Sequence, residues 1–312
     1  MAGKDKIKLI AVVGPTASGK TALGVELAKA LDGEIVSCDS MQVYKGMDIA
    51  TAKPTKQETS QAKHHLIDFV EPSEEYSVAC YCADAKKVIT DIVSRKKQPI
   101  IVGGTGLYFS SLIDGITFDD EAYDPQLRES LYKEAEEKGN QALLDRVMQI
   151  DAEYGAKLHV NDLKRIIRAL EVYAADKVKM SERLVQSRLS ESDYDTVIIG
   201  ITCKDRAKLY DRINQRVDRM VEAGLVDEAR ACCGKDIATA NQAIGHKELK
   251  PYFNGEATLE DCLDRLKMQT RRYAKRQLSW FRRIENVNWL YGDESEDIVA
   301  EALKIIKQKE EQ

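Results

Sequence analysis

The sequence has no long apolar run. None of its hydrophobic stretches approaches the 18 residues that a membrane-spanning helix needs, so we expect no membrane span. Residues 1–6 carry no secretory apolar segment ahead of the first predicted strand. Together these absences favour a cytoplasmic protein of the bacterial type. At 312 residues with 43% apolar content, the chain can fill the core of one large domain with an insertion, or of two domains.

The cysteines do not form a metal-binding or disulfide pattern. There are seven of them, an odd number in a long chain. Cys80 and Cys82 are separated by one residue, and Cys232 and Cys233 are adjacent, but neither pair has a second half at zinc-finger spacing. We therefore expect reduced thiols that are mostly packed in the interior.

Acidic residues are absent from one stretch of this acidic protein. The net charge is −5, which by itself argues weakly against nucleic-acid binding. Residues 265–283, called here the basic segment, reverse that interpretation because they contain eight positive side chains and no acid. Tyr273, Trp280 and Phe281 are interleaved with them. The pattern fits a surface for a polyanion, and the alternative is an ordinary solvated helix face. The eight are Arg265, Lys267, Arg271, Arg272, Lys275, Arg276, Arg282 and Arg283.

A phosphate-binding loop is the most specific motif present. Residues 14–21 match G-x-x-x-x-G-K-[ST] at every defined position, between an apolar run at residues 9–13 and a helical pattern at residues 22–31. Its glycines let backbone N–H groups close around phosphate oxygens, and the following helix N-terminus adds partial positive charge. Lys20 would reach a terminal phosphate and the Thr21 hydroxyl would ligate Mg²⁺. The predicted diphosphate-binding residues are Gly14, Pro15, Thr16, Ala17, Ser18, Gly19, Lys20 and Thr21.

Strand and helix signals alternate through much of the chain. Short apolar runs predict strands at residues 9–13, 34–37, 99–102, 197–201 and 287–290. Helical periodicity appears between several of them, at residues 78–94 and 107–113. The order predicts an α/β fold, with a P-loop NTPase-like parallel sheet flanked by helices.

One long stretch shows no strand signal. Residues 120–194 are charged and helical in pattern, so we predict an inserted all-helical domain there. Residues 1–119 and 195–312 would then form the P-loop core domain with its C-terminal helices. The helix contacts predicted within the insertion are Leu158, Ile166, Ile167, Leu170 and Tyr173.

Polar residues follow the second predicted strand. Asp39 comes directly after it, at the sheet edge where doubly wound folds bind ligands, so it is a candidate base; a helix cap or turn is the alternative. Residues 39–54 are dense in polar groups without periodicity, which favours a ligand loop. Residues 103–106 follow the third strand with three glycines and Thr105, where an ATP-hydrolysing motor would place an acid. That difference argues against a motor.

Several motifs together resemble one family, the tRNA dimethylallyltransferases, which are isopentenyltransferases of tRNA adenine-37. The matching segments occur in order from about residue 7 to residue 290. They are residues 14–21, 39–40, 44–49, 51–54, 103–105, 107–108, 159–162, 165, 168–171, 212–217, 244–248 and 272–280. Departures from the family pattern stand at Ala50, Val160 and His246-Lys247.

The resemblance implies transfer of a dimethylallyl group from dimethylallyl diphosphate to N6 of an adenine beside the anticodon. It implies Asp39 as base, Lys20, Arg216 and Mg²⁺ on Thr21 at the leaving diphosphate, and Thr105 at its bridging oxygen. It implies a tRNA anticodon stem-loop as partner, and we expect a monomer. The implied tRNA-binding residues are Asp39, Ser40, Met41, Gln42, Arg165, Arg168, His246, Lys247, Arg272, Lys275 and Arg276.

Two further features favour structural explanations. His64 and His65 are adjacent, but no convergent partners for a metal are visible, so we expect a structural or RNA-near role. The acidic residues 119–124 resemble the acid pairs of other prenyl transferases only loosely, and a solvated boundary loop fits them better.

Three other functions remain open at the level of sequence. A small-molecule kinase of the phosphate-loop class would use Asp39 to bind an acceptor hydroxyl. A free-adenylate isopentenyltransferase would use the same donor without tRNA. A non-catalytic RNA-binding switch would use nucleotide only for conformation. The basic segment disfavours the kinase, residues 120–194 disfavour the free-adenylate enzyme, and the polar loop at residues 39–54 disfavours the switch.

Overall fold

The computed structural model describes residues 6–116, 124–187, 192–232 and 243–311. The chain divides into two compact units, the first formed by Met1–Ile113 with Asp193–Gln312 and the second by Asp114–Ser192. Cys233 and most of the acidic stretch at residues 119–124 lie outside the described residues, so their predicted roles stay predictions.

The first unit contains a parallel sheet in which six strands are described, in the order β3-β2-β4-β1-β5-β6. This confirms the predicted α/β fold class. Each of the five predicted apolar runs forms a strand, and each strand is between one and four residues longer than the run that predicted it. The strand β3 was not predicted, because it consists of two histidines with no apolar pattern. The strands are β1 Ile7–Val13, β2 Gly33–Cys38, β3 His64–His65, β4 Gln98–Gly103, β5 Tyr194–Thr202 and β6 Val287–Tyr291.

Helices flank the sheet and also build the second unit. Many begin at a side-chain cap; Ser77, for example, accepts a hydrogen bond from the backbone N–H of Cys80 at the start of α3. The helices are α1 Lys20–Ala30, α2 Lys56–Gln61, α3 Val78–Ser94, α4 Gly106–Ile113, α5 Pro125–Lys138, α6 Asn140–Ile150, α7 Ala152–Gly155, α8 Leu163–Asp176, α9 Met180–Gln186, α10 Arg206–Glu222, α11 Leu225–Cys232, α12 His246–Phe253, α13 Leu259–Phe281 and α14 Ile298–Glu310.

The alternation of side chains along β1 divides the core of the first unit into two layers. Leu9, Ala11 and Val13 pack with residues of α3, α4 and α13. Ile10 and Val12 point to the other face and pack with residues of α1 and α14. Because both faces are covered, the central strands read as continuous apolar runs, which is why the sequence revealed them.

The second unit has its own apolar core, built by α5, α6 and α8. Three of the predicted contacts, Ile166, Ile167 and Leu170, are buried in it, and Leu158 packs against it. In the described residues of this unit there is no strand. Of the helices in the described part of the chain, none has the length and hydropathy needed to cross a membrane.

Candidate active site

The phosphate loop lies between β1 and α1. Gly14 has φ +148°, and a Cβ there would lie 2.2 Å from the carbonyl oxygen of Ile201 on β5. Gly19, at the cap of α1, has φ +99°. Both positions therefore require glycine. The Lys20 ammonium donates to the carbonyl oxygen of Pro15 at 2.6 Å. The motif thus has the strand–loop–helix context that its phosphate-binding function requires.

A cavity of about 360 Å³ lies at the carboxyl ends of the strands. Its size is typical of a small-molecule site, and residues from the first unit line it. It brings together groups from the phosphate loop, the segment after β2, the turn after β4, and the helices α10 and α13. Those that bear on the chemistry are Thr16, Lys20, Thr21, Asp39, Arg216 and Gln277.

Two cations, Lys20 and Arg216, line this cavity together with the carboxylate of Asp39. Neither Lys20 nor Arg216 forms an ion pair within the described residues. Burial, and next the charge of Arg216, lower the pKa of Lys20 to about 7, while the carboxylate of Asp39 acts in the opposite sense. Burial also lowers the pKa of Arg216. Two desolvated cations in one cavity repel each other, so an anionic ligand would relieve an unfavourable arrangement.

Asp39 lies one residue beyond β2 and lines the cavity. Its Oδ1 accepts hydrogen bonds from the backbone N–H groups of Met41, at 2.9 Å, and Gln42, at 3.3 Å. Within the described residues, no hydrogen bond engages Oδ2. One oxygen therefore fixes the side chain and the other is available to a ligand, as a general base requires.

Thr105 joins the ends of β2 and β4. Its N–H donates to the carbonyl oxygen of Cys38 at 3.1 Å, and its Oγ1 accepts from the N–H of Ser40 at 3.0 Å. The Thr105 hydroxyl lies 3.4 Å from the Ser40 hydroxyl. The backbone next to Asp39 and the Thr105 hydroxyl are thereby held in one fixed arrangement.

The polar loop at residues 39–54 is ordered by its own hydrogen bonds. The Gln42 amide donates through Nε2 to the carbonyl oxygens of Thr51, at 3.2 Å, and Ala52, at 3.1 Å. Its Oε1 accepts from the Ser37 hydroxyl at 3.3 Å. The Lys53 ammonium, with a side chain only 7% exposed, bridges Asp48 and Asp68 at 2.5 and 2.6 Å. This segment is a built loop that shapes one wall of the cavity.

Glu228 on α11 anchors that loop and was missed by the sequence reasoning. Its carboxylate accepts the backbone N–H groups of three consecutive residues, 48–50, at 2.7–2.9 Å. The ring Nε2 of His246 lies 3.2 Å from the same carboxylate. Burial acts to raise the pKa of Glu228, but these hydrogen bonds, first that of His246, hold it below its usual value. No local signal marks Glu228, because its partners lie about 180 residues earlier in the chain.

The two residues predicted at the start of α12 differ in exposure. The His246 side chain is 4% exposed and contacts Glu228, so it helps Glu228 to hold the polar loop at residues 39–54. Lys247 is exposed. The structure therefore favours Lys247 over His246 for a contact with RNA.

The basic segment divides into two faces of α13. Lys267 pairs with Asp218 at 2.6 Å, and Arg271 donates to the Asn214 side chain at 2.6 Å, so both join α13 to α10. Phe281 is fully buried and belongs to the core. The segment is thus part packing surface and part open surface. Exposed on α13, and without ion-pair partners in the described residues, are Arg265, Arg272, Lys275 and Arg276, and the exposed Arg282 and Arg283 follow the end of the helix.

Two predicted RNA-binding residues belong to the second unit. Arg165 and Arg168 are on α8 in the second unit, 3.9 Å from Asp162 and 3.8 Å from Glu171 respectively. Their predicted role in RNA binding stays a prediction.

The histidine pair has structural partners. The Nε2 of His65 lies 2.7 Å from the buried carboxylate of Glu34, and the Nδ1 of His64 lies 2.8 Å from the carbonyl oxygen of Ala62. Arg95 also engages Glu34 through both of its oxygens. Nowhere in the described residues do three His, Cys, Asp or Glu side chains form a group that could hold a metal ion.

Comparison with known proteins identifies the family. The family model for IPP transferase matches residues 42–284. The chain belongs to the IPP transferase family. It is 50% identical to the tRNA dimethylallyltransferase of Acetivibrio thermocellus over 289 residues, which is 92% of each chain. It is 46% identical to that of Bacillus subtilis over 286 residues, covering 91% and 90%.

Solved structures agree with the sequence relatives. The full-length tRNA isopentenylpyrophosphate transferase of Bacillus halodurans superposes with a TM-score of 0.72 at 44% identity, covering 98% and 96% of the two chains. A eukaryotic dimethylallyltransferase described as acting on tRNA gives a TM-score of 0.82 at 29% identity, covering 96% and 78%. These matches confirm the family resemblance seen in the motifs, and with it an enzyme of the transferase class.

Proposed function

We propose that this enzyme transfers a dimethylallyl group from dimethylallyl diphosphate to N6 of adenine-37 in tRNA and releases diphosphate. The observation that carries the proposal is the cavity. It places the candidate base Asp39 and the two unpaired cations Lys20 and Arg216 around one space of about 360 Å³. Its family, whose relatives are named for this activity, supplies the substrate class.

The proposed chemistry is a nucleophilic substitution at the allylic carbon of the donor. The exocyclic amine of adenine forms the new C–N bond while the bond from that carbon to the bridging oxygen breaks. The electron pair leaves with the diphosphate. Asp39 takes the proton that the amine loses, through Oδ2, the carboxylate oxygen that no described residue engages. No phosphoryl group moves, so the phosphate loop serves as a cradle for the leaving group.

The cations stabilise the charge that develops on that leaving group. Lys20 and Arg216 are half-buried and line the cavity, where each interaction with an anion is stronger than at the open surface. The Thr105 hydroxyl, fixed by the N–H of Ser40, would donate to the bridging oxygen.

The residues present fit Mg²⁺ shared with the diphosphate. The described residues supply no metal-binding group of three acidic, histidine or cysteine side chains, but the Thr21 hydroxyl faces the cavity. Mg²⁺ commonly takes one or two protein ligands and completes its shell with phosphate oxygens and water. Bound there, the ion would neutralise charge on the leaving diphosphate.

The acceptor base must leave its stack to reach Asp39, which is least costly in a single-stranded loop. The adenine would lie against Ser40, Met41 and Gln42. The RNA backbone would be held by cations in both units, and we propose that the enzyme acts as a monomer in the cytoplasm. These cations are the exposed Arg165, Lys247, Arg272, Lys275 and Arg276, together with the half-buried Arg168.

A labelling experiment tests the function against its rivals. The protein is incubated with dimethylallyl diphosphate labelled in the allyl group, Mg²⁺ and an unmodified anticodon stem-loop. Label in the RNA that depends on adenine-37 supports the proposal. A parallel reaction with γ-labelled ATP and small alcohols tests the kinase alternative. Phosphate transfer in that reaction, with no label in the RNA, would overturn the proposal.

A further inference from the structure

The Gln277 side chain bridges the two loops that form the diphosphate end of the cavity. Its Oε1 accepts the backbone N–H of Thr16 in the phosphate loop at 2.8 Å. Its Nε2 donates to the carbonyl oxygen of Gly104, in the turn after β4, at 3.0 Å. The residue is 6% exposed. One amide therefore joins segments that lie 261 and 173 residues away from it in the chain.

The bridge lies where the sheet itself ends. The pairing of β1 with β4 reaches Val13 and Gly103, and beyond that point no backbone register holds the two loops together. The Gln277 side chain packs tightly against the backbone of Gly104, because a Cβ on Gly104 would lie 2.2 Å from Nε2 of Gln277. The bridge needs one donor and one acceptor at fixed separation, and the Gln277 amide provides both.

Each bridged loop carries a group that acts on the same diphosphate. The phosphate loop leads to Lys20, and the Gly104 turn leads directly to Thr105. We propose that Gln277 is a positioning residue, which holds the phosphate loop and the Thr105 turn in the relative geometry that diphosphate binding and departure require. This inference rests on the proposed function, and it assigns the buried face of α13 a task separate from the RNA contact of its exposed face.

The bridge also affects which groups can hold the diphosphate. Because the N–H of Thr16 is engaged by Gln277, the cradle is left to the later amides of the loop and to the Lys20 ammonium. A misplaced loop would shift Lys20 relative to Thr105, and displacements of about 1 Å at such sites lower rates by about 10²-fold.

The decisive variant is Gln277→Met, which keeps the length and approximate volume but removes the donor and the acceptor. Gln269→Met on the same helix is the matched control, since Gln269 forms no hydrogen bond through its side chain in the described residues. For Gln277→Met we expect kcat to fall 10- to 100-fold and the affinity for inorganic diphosphate, measured by calorimetry with Mg²⁺, to fall 5- to 20-fold. The Kd for tRNA and the KM for RNA should change less than twofold.

The outcomes separate the alternatives. If Gln277 merely fills space, Gln277→Met will match Gln269→Met in kcat and in diphosphate affinity, and the inference is wrong. A general loss of folded protein would lower the active fraction and the Tm without changing the KM for RNA or the KM for the prenyl donor. That result would also contradict the inference. Diphosphate binding needs no RNA product. A wild-type protein that binds diphosphate more tightly than the variant but transfers no prenyl group would therefore refute the proposed function, while the part of the inference that concerns diphosphate binding would still be supported.

Discussion

At the scale of single residues, the two oxygens of Asp39 have different tasks. Oδ1 is occupied by the N–H groups of Met41 and Gln42, which fixes the orientation of the carboxylate in the cavity. A side chain held this way does not have to be ordered during the reaction, which is the advantage of a preorganised base. Asparagine can keep the fixing hydrogen bonds through its carbonyl oxygen while losing the ability to take a proton.

We therefore expect Asp39→Asn to lower kcat by about 10²–10⁴ with little change in RNA affinity. Single-turnover rates at saturating substrates and a filter-binding isotherm measure the two quantities. Asp32→Asn, at the amino-terminal end of β2, is the control, because in the described part of the chain the Asp32 carboxylate pairs with Lys97 alone, at the surface. A rate for Asp39→Asn within threefold of the wild type would remove Asp39 from the role of base.

The lowered pKa of Lys20 predicts that diphosphate binding depends on pH. Burial, and next the charge of Arg216, place its pKa at about 7, so in the free site it loses its proton as the pH rises through that value. A bound diphosphate favours the protonated amine, so binding above pH 7 must take up a proton. The affinity for diphosphate should then fall as the pH rises, by up to tenfold per unit above about 7.

The measurement compares wild type with Lys20→Arg by calorimetry between pH 6 and 9. Ionisation of the diphosphate itself is common to both proteins and cancels in the difference. Arginine stays charged over this range, so the difference in log Kd should have a slope approaching one above pH 7. Parallel profiles for the two proteins would show that Lys20 does not titrate in this range.

At the scale of elements, α13 presents three different surfaces. Its pairing residues Lys267 and Arg271 join it to α10, which carries Arg216, and its buried Gln277 joins the phosphate loop to the turn after β4. Its exposed cations are the surface that we propose for RNA. A charge pattern in the sequence cannot separate these faces, because the partners of each residue come from distant parts of the chain.

Reversing the charge of the exposed face tests the proposed RNA contact. Arg272→Glu with Lys275→Glu should weaken tRNA binding strongly and reduce the log–log salt slope by about 0.7–0.9 for each lost phosphate contact, if values for DNA carry over. Diphosphate affinity should be unchanged. Lys304→Glu with Lys307→Glu is the control, with equal charge change on exposed residues of α14, which packs on the other face of the sheet. Equal tRNA affinity and parallel slopes for both double variants would contradict the contact.

The elements themselves could be predicted where burial leaves a local pattern. Five of the six described strands followed from apolar runs. The runs are clearest in the central strands, which are covered on both faces, and the edge strand β6 was found through its Val287, Trp289 and Leu290. The edge strand His64–His65 could not be predicted, since two polar residues carry no periodicity. The phosphate loop was visible because glycine and lysine are required at fixed spacing. The roles of Glu228 and Gln277 could not be predicted, because each side chain binds backbone groups that only the folded chain brings near.

At the scale of the whole molecule, exposed cations occur in both units, on α8 of the second and on α12 and α13 of the first. An enzyme for a free nucleotide would not need them, because a nucleoside monophosphate is small enough to bind within the cavity. If these cations hold RNA, they supply binding free energy that positions the adenine for attack. We therefore expect kcat/KM to be higher for an acceptor that is large enough to reach these cations than for a free nucleotide.

With one enzyme preparation, we expect kcat/KM for AMP to be at least about 10³-fold below kcat/KM for an anticodon stem-loop. Contacts far from the reacting amine raise kcat/KM only for an acceptor that reaches them. The double variant Arg272→Glu, Lys275→Glu serves as the internal test. It should lose activity on the stem-loop while its low activity on AMP stays the same, because AMP does not extend to the exposed face of α13. The same donor, Mg²⁺ and assay are used for both acceptors, so the ratio depends on the acceptor alone. Comparable kcat/KM values for the two acceptors, or an equal loss on both in the double variant, would favour the free-adenylate enzyme over the tRNA enzyme.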